Sequence, residues 1–278
     1  MSGETFRATL RRAFGLQNRR VAVLPGRLDH IPFTSAILGN DRQLTIYLPA
    51  GYDENGDSRY PVLYMHDGQN LFEPHRAFIP GQHWHLAEAA DAAIGERTAG
   101  PTIIVGMDNA GAARIDEYTP TRDPKMPAGG RADDHARMIV KEIKPMIDGL
   151  YRTLPDRANT GVGGSSLGGL VSLHLGLKHP QVFGRVAALS PSVWWHDRAI
   201  LREVDECPPE MRPRIWVDIG GREGPEAMNG ARALRDRLRE RGWNDENFRY
   251  HEDRRGDHSE RSWAARARMM LEFLFPTR

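Results

Sequence analysis

Thr160-Gly-Val-Gly-Gly-Ser-Ser-Leu-Gly-Gly-Leu170 is the stretch that decides the fold. Thr160–Gly163 is a short β-type run, Ser166–Lys178 is an apolar helical segment, and between them Gly164-Ser165-Ser166-Leu167-Gly168 matches GxSxG. A strand, a sharp turn and a helix in that order form a nucleophile elbow, in which the central serine stands clear of the sheet. Glycines two residues before and two after the serine let the chain turn tightly and let strand and helix pack close. Ser166 is therefore the expected nucleophile. The Leu167 N–H, at the start of the helix, is an expected oxyanion donor.

Outward from the elbow, strand and helix patterns alternate. Upstream, Pro61–His66 and Pro101–Met107 are continuous apolar runs bounded by turn residues, as expected of central strands covered on both faces. Asp133–Leu154 places Met138, Ile139, Ile143, Met146, Ile147 and Leu150 at helical spacing. Downstream, Arg185–Leu189, Arg214–Ile219 and Phe248–Glu252 read as strands, and Pro225–Arg241 and Glu260–Phe275 as helices. Val21–Leu24, Phe33–Leu38 and Gln43–Leu48 are short β-type segments divided by Pro25-Gly26 and Gly39-Asn40-Asp41, an antiparallel entry to the sheet. The fold class is α/β, with a mostly parallel central sheet and helices on both faces. Residues 21–278 are expected to form one domain after a basic leader, 1–20. The stretch Asn109–Arg131 has no clear periodicity and is rich in Pro and Gly; it should emerge at the carboxyl edge of the sheet, where such folds bind ligands.

A serine hydroxyl needs a base, and after an elbow of this kind the triad runs serine, acid, histidine along the chain. His258, in Arg255-Gly-Asp-His-Ser-Glu260, lies between the last strand and the last helix and is the expected base; His251, His174 and His179 fall on or beside regular elements instead. The acid is expected past the preceding strand, where Glu223 sits in the turn and Asp218 within the strand; Glu223 is preferred, with Asp253 still open. His66-Asp-Gly-Gln-Asn70 follows an early central strand, so the N–H of Gln69, or of Gly68, is the second oxyanion donor, and Asp67 ties the loop down. Trp194 and Trp195 are candidate pocket walls, and Arg114 a candidate for a substrate anion or for an ion pair stiffening its loop. His83-Trp84-His85 resembles a metal pair but has no third ligand at a recognisable spacing, so no metal and no cofactor are expected.

Composition excludes other classes. With 38 basic and 37 acidic side chains the net charge is +1, too little for the electrostatic footprint of a nucleic-acid binder. Cys207 is the only cysteine, which excludes an internal disulfide and, with the absence of a signal-peptide core or an 18-residue apolar run, leads to the expectation of a soluble cytoplasmic protein without membrane contact.

Taken together, YPVLYMHDGQNLF (60–72), IIVGMDNAGAARIDEYTP (103–120), EIKPMIDGLYRT (142–153), GGSSLGGLVSLHLGLKHPQVFG (163–184), LSPSVWW (189–195) and GDHSERSWAARARMMLEFLF (256–275) resemble an esterase family of α/β-hydrolases. Its members include feruloyl and acetyl xylan esterases, enterochelin esterases, S-formylglutathione hydrolases and mycolyltransferases. The resemblance implies an α/β-hydrolase fold, Ser166 as nucleophile, His258 as base, Glu223 where members carry an acid, and backbone N–H groups near Gln69 and Leu167 as oxyanion hole. Some members work with a serine–histidine pair alone. The expected function is a serine carboxylesterase acting on a small-molecule ester through an acyl-enzyme. Acyl transfer to an alcohol and hydrolysis of a siderophore lactone or thioester are the alternatives; a non-catalytic scaffold is disfavoured, because the serine and the late histidine are both present.

Overall fold

The apolar runs become the middle of an eight-stranded sheet. The computed structural model describes residues 25–54 and 56–277. The basic leader 1–20 and the expected strand Val21–Leu24 lie outside the described residues. Strands β1 (Arg27–Ser35) and β2 (Asn40–Leu48) form an antiparallel hairpin; β3 (Val62–His66) and β4 (Ile103–Met107) follow. A separate two-stranded hairpin, β5 (Arg122–Asp123) and β6 (Met126–Gly129), precedes β7 (Thr160–Ser165), β8 (Arg185–Leu189), β9 (Arg214–Gly220) and β10 (Phe248–Asp253). The large sheet has the order β1-β2-β4-β3-β7-β8-β9-β10. β1 and β2 are its antiparallel entry, β2 meets β4 antiparallel, and the remaining pairs are parallel.

Among the described residues the helices that cover the sheet and carry its loops are α1 (Leu86–Gly95), α2 (Arg114–Tyr118), α3 (Ala132–Met138), α4 (Lys144–Leu150), α5 (Leu167–Lys178), α6 (Ile200–Glu206), α7 (Pro225–Glu240) and α8 (Glu260–Leu274), with a short helical segment at Trp195–Arg198 besides. The two-residue period of the strands divides the core. Val62 and Tyr64 of β3 face a cluster completed by α3, α4, α5, α6 and α7, whereas Leu63 and Met65 face one completed by α1 and α8. Each face of the sheet is thereby covered, which is why β3, β4 and β7 are buried along their whole length. Among the described residues no helix is long and apolar enough to cross a membrane.

Three expectations shift. β1 begins at Arg27 rather than at Phe33, and residues 36–39 form the hairpin turn. Among the described residues it is an edge strand whose alternating exposure admits polar Asp29 and His30 and also Pro32, which pairs with Gln43, so hydropathy alone understates it. The helix expected over Asp133–Leu154 ends at Leu150 and is interrupted by a π-type stretch, Ile139–Ile143, just ahead of Pro145. Proline has no N–H to give to the preceding turn, and a wider turn accommodates that loss. The aperiodic segment Asn109–Arg131 is ordered locally by α2 and the β5–β6 hairpin.

Candidate active site

Every chemically relevant loop leaves the carboxyl edge of the sheet. At the end of β7 the chain reverses at Ser166, whose φ of 58° and ψ of −122° lie outside the regions most side chains adopt. Two glycines make this possible. A Cβ on Gly164 would lie 2.9 Å from the Gly168 carbonyl carbon, and one on Gly168 would lie 3.2 Å from the His66 Cβ. The helix that follows, α5, is buried from Leu167 to Leu177, so the strained serine is held on a rigid support. Leu167 is the first residue of α5, where N–H groups have no partner within the helix.

His258, in the loop between β10 and α8, places Nε2 3.0 Å from Ser166 Oγ. Its Nδ1 is 2.7 Å from Glu223 Oε2, in the turn after β9. The other oxygen of Glu223 accepts from the Gly220 N–H at 2.7 Å and from the Ser190 hydroxyl at 2.5 Å. Burial raises the Glu223 pKa, but the hydrogen bonds from His258, Ser190 and Gly220 outweigh it and hold the carboxyl below its ordinary value. Glu223 is thus ionised, buried and aimed at the imidazole, while His258 is half exposed to the cleft.

The other acids have different partners. Asp218 is fully buried, accepts from the Trp216 indole at 2.8 Å and pairs with Arg266 at 3.0 Å. Asp253 accepts from the Arg255 N–H and faces Arg266 at 3.5 Å, and Asp257 accepts from the hydroxyls of Ser259 and Ser262. His251 stacks on Trp216, and His174 lies between Glu203 and Asp133.

Gln69 lies in a 3-10 turn, Gly68–Asn70, entered through Asp67 in the left-handed region at φ 55°. Arg114 donates to both Asp67 oxygens at 2.7 Å, and Asn109 donates to one of them at 2.7 Å. Arg114 therefore stiffens this loop, and its planar fork is engaged by Asp67 rather than left for a substrate anion. Beneath the elbow, His66 Nδ1 lies 2.9 Å from the Gly163 carbonyl and its Nε2 3.1 Å from His135. His135 lies 3.3 Å from Glu117, which Arg42 meets at 3.1 Å, all four side chains being buried. Burial raises the Glu117 carboxyl, but His135 and Arg42 more than offset it and hold the pKa at about 2.

The cleft around Ser166 holds about 380 Å³ and is lined by Gln69, Asn70, Phe78, Asn109, Arg114, His258, Glu260 and Trp263 among others. Trp194 and Trp195, the expected pocket walls, are not among its lining residues. Trp195 is buried and donates its indole N–H to the Thr121 carbonyl at 2.8 Å; Trp194 is 41% exposed and packs beside it. Phe78 and Trp263 line the cleft instead, Phe78 being 82% exposed. Sequence reading missed both, and it missed Ser190, whose hydroxyl accepts from Trp263 Nε1 at 3.0 Å and Arg266 at 3.1 Å while serving Glu223. The available signal was Ser190's place just past the end of β8, beside β9. The pair His83 and His85 does gain a third partner, Glu88, contrary to expectation.

A family model described as "Putative esterase" matches residues 35–274. The chain is 26% identical over 213 residues to an endo-1,4-beta-xylanase/feruloyl esterase of Xylanibacter ruminicola, a match covering 73% of this chain and 26% of that one. It is 31% identical over 161 residues to the iron(III) salmochelin esterase of Escherichia coli O6:H1, covering 57% of this chain and 34% of the relative. The chain thus spans about a quarter to a third of the length of these two relatives. Among solved structures, an IroE-like serine hydrolase from Shewanella oneidensis superimposes with a TM-score of 0.75 at 21% identity, covering 90% of this chain and 80% of that one. The fold is of the α/β-hydrolase type.

Proposed function

The chain belongs to this esterase family, and on that premise we propose that it is a serine carboxylesterase working through a Ser166–His258–Glu223 triad and an acyl-enzyme. The observation that carries the reading is the unbroken contact series of 3.0 Å from Ser166 Oγ to His258 and 2.7 Å from His258 to Glu223. Ser166 attacks the ester carbonyl carbon as His258 Nε2 takes its proton. Glu223 holds Nδ1–H and stabilises the imidazolium that forms. The N–H groups of Leu167 and Gln69 receive the oxyanion, and donors held in place this way cost no reorganisation as charge develops. His258 returns the proton to the leaving alcohol, and water, activated by the same nitrogen, releases the acid.

The substrate is a small-molecule ester that enters the cleft of about 380 Å³ beside Phe78 and Trp263. The relatives named as siderophore esterases support a second substrate reading, a siderophore ester. The lone cysteine, Cys207, is free and buried, in keeping with the reducing setting of a cytoplasmic enzyme. The test is hydrolysis of p-nitrophenyl esters from acetate to octanoate, methyl ferulate and a catecholate trilactone by wild type and Ser166→Ala. Loss of turnover to near background in the variant is expected; unchanged turnover removes the proposal. The preferred substrate separates the two readings.

A further inference from the structure

His83, His85 and Glu88 lie outside the lining of the catalytic cleft and bring one ligand atom each within 4.8 Å of one another. The local chain explains the convergence. His85 sits in the left-handed region at φ 51° immediately before α1, and Glu88 is in the first turn of that helix. His85 Nδ1 consequently stands 3.4 Å from Glu88 Oε1. A tetrahedral ion with ligand bonds of about 2.0–2.1 Å holds its ligand atoms about 3.4 Å apart. One edge of a coordination tetrahedron is therefore already at its spacing.

The second observation concerns His83. Its ring centroid is 3.8 Å from that of His85, the planes inclined by 43°, so the two imidazoles share one small volume. His83 is only 6% exposed, and its Nδ1 is buried without a hydrogen-bond partner. A buried polar atom left unpaired costs about 1–3 kcal/mol, so a ring held this way points to a ligand that restores a partner. His83 and His85 also line a separate cleft of about 470 Å³ with Asp257 and Ser259, the two chain neighbours of His258. Asp257 adds negative charge there, partly offset by Arg261.

We propose that His83, His85 and Glu88 form a binding site for one divalent transition-metal ion of the zinc class, with a fourth position left for water. Two imidazoles and one carboxylate suit Zn²⁺, Co²⁺ or Ni²⁺, whereas Ca²⁺ and Mg²⁺ call for a shell of oxygen ligands. The ion joins the segment before α1 to the first turn of that helix, behind the loop that carries the base. None of its ligands touches Ser166, His258 or Glu223, so its binding is separable from ester hydrolysis.

The test uses the untagged 278-residue chain, stripped with a chelator and titrated with Zn²⁺ against a chromophoric competitor, and with Co²⁺ followed by visible absorption. One ion per chain and the intense bands of tetrahedral Co²⁺ are expected. His85 and Glu88 are exposed, so His85→Ala and Glu88→Gln should fold normally, and each should weaken Zn²⁺ binding by more than about tenfold. Their metal-free hydrolysis of p-nitrophenyl acetate should match that of the wild type. Absence of saturable binding, or one-to-one binding that both variants leave unchanged, overturns the proposal.

Discussion

Glu223→Gln separates a working triad from a serine–histidine pair. The structure dictates how glutamine would sit. One oxygen of Glu223 accepts from both the Gly220 N–H and the Ser190 hydroxyl, so the amide oxygen must take that place and the NH₂ must face His258 Nδ1. A donor there requires Nδ1 to be the acceptor, which moves the ring proton to Nε2, the nitrogen 3.0 Å from Ser166 Oγ. The base then presents a proton where it should accept one, and the negative charge that stabilises the imidazolium is gone. The same exchange in a Ser-His-Asp triad lowers kcat by about 10⁴-fold, equivalent to roughly 5 kcal/mol of transition-state stabilisation.

The fold should survive, because glutamine keeps the Gly220 and Ser190 bonds; a stability loss of about 1–2 kcal/mol is expected for the weakened charge-assisted contacts. The carboxyl titrates below its ordinary value of 4.5 when folded, so its contribution to stability is complete above that pH and is lost as pH falls through the folded pKa. At neutral pH the whole difference between wild type and Glu223→Gln is therefore present. Steady-state and burst kinetics with p-nitrophenyl acetate at pH 7.5, with thermal melts alongside, give the comparison. A kcat within about tenfold of wild type in a variant that melts normally would refute the triad and leave Glu223 as an anchor of the base loop.

Two further outcomes follow from the same geometry. Burial alone would lower the His174 pKa, but hydrogen bonds to Asp133 and Glu203 raise it to about 9, so the folded protein favours the charged ring; this stabilisation is full below pH 6.5 and disappears as pH rises through about 9. The urea-unfolding advantage of wild type over His174→Gln should thus shrink by up to ~3 kcal/mol between pH 6 and pH 9.5, and a pH-independent difference would contradict the assignment. Phe78→Ala removes an 82% exposed ring from the cleft lining, so KM should rise about fivefold for aromatic acyl esters and remain unchanged for acetate, with no shift in melting temperature; equal effects on both substrates would place Phe78 outside the acyl site.

The sequence by itself determined what depends on neighbours along the chain. The glycines around Ser166 announced a strained turn, the continuous apolar runs at β3 and β4 announced strands covered on both faces, and the position of His258 ahead of the last helix marked it as the candidate base. Each of these is local: a backbone period, a turn that needs missing Cβ atoms, or a place in the order of elements. Glu223 against Asp218 was legible for the same reason, since Asp218 lies within the apolar run of β9, buried along nearly its whole length, and Glu223 lies in the turn past its end. Only the tertiary structure decided the rest. Ser190 tied to Glu223, Trp263 and Arg266, the buried series from His66 to Arg42, Phe78 in the cleft where Trp194 and Trp195 were expected, and Glu88 beside the two histidines are all outcomes of distance and direction in space. Glu88 meets His85 locally, three residues on at the start of α1, but most of the other partners are separated by tens of residues. No periodicity encodes such meetings, because they are fixed by how whole helices and loops pack against the sheet.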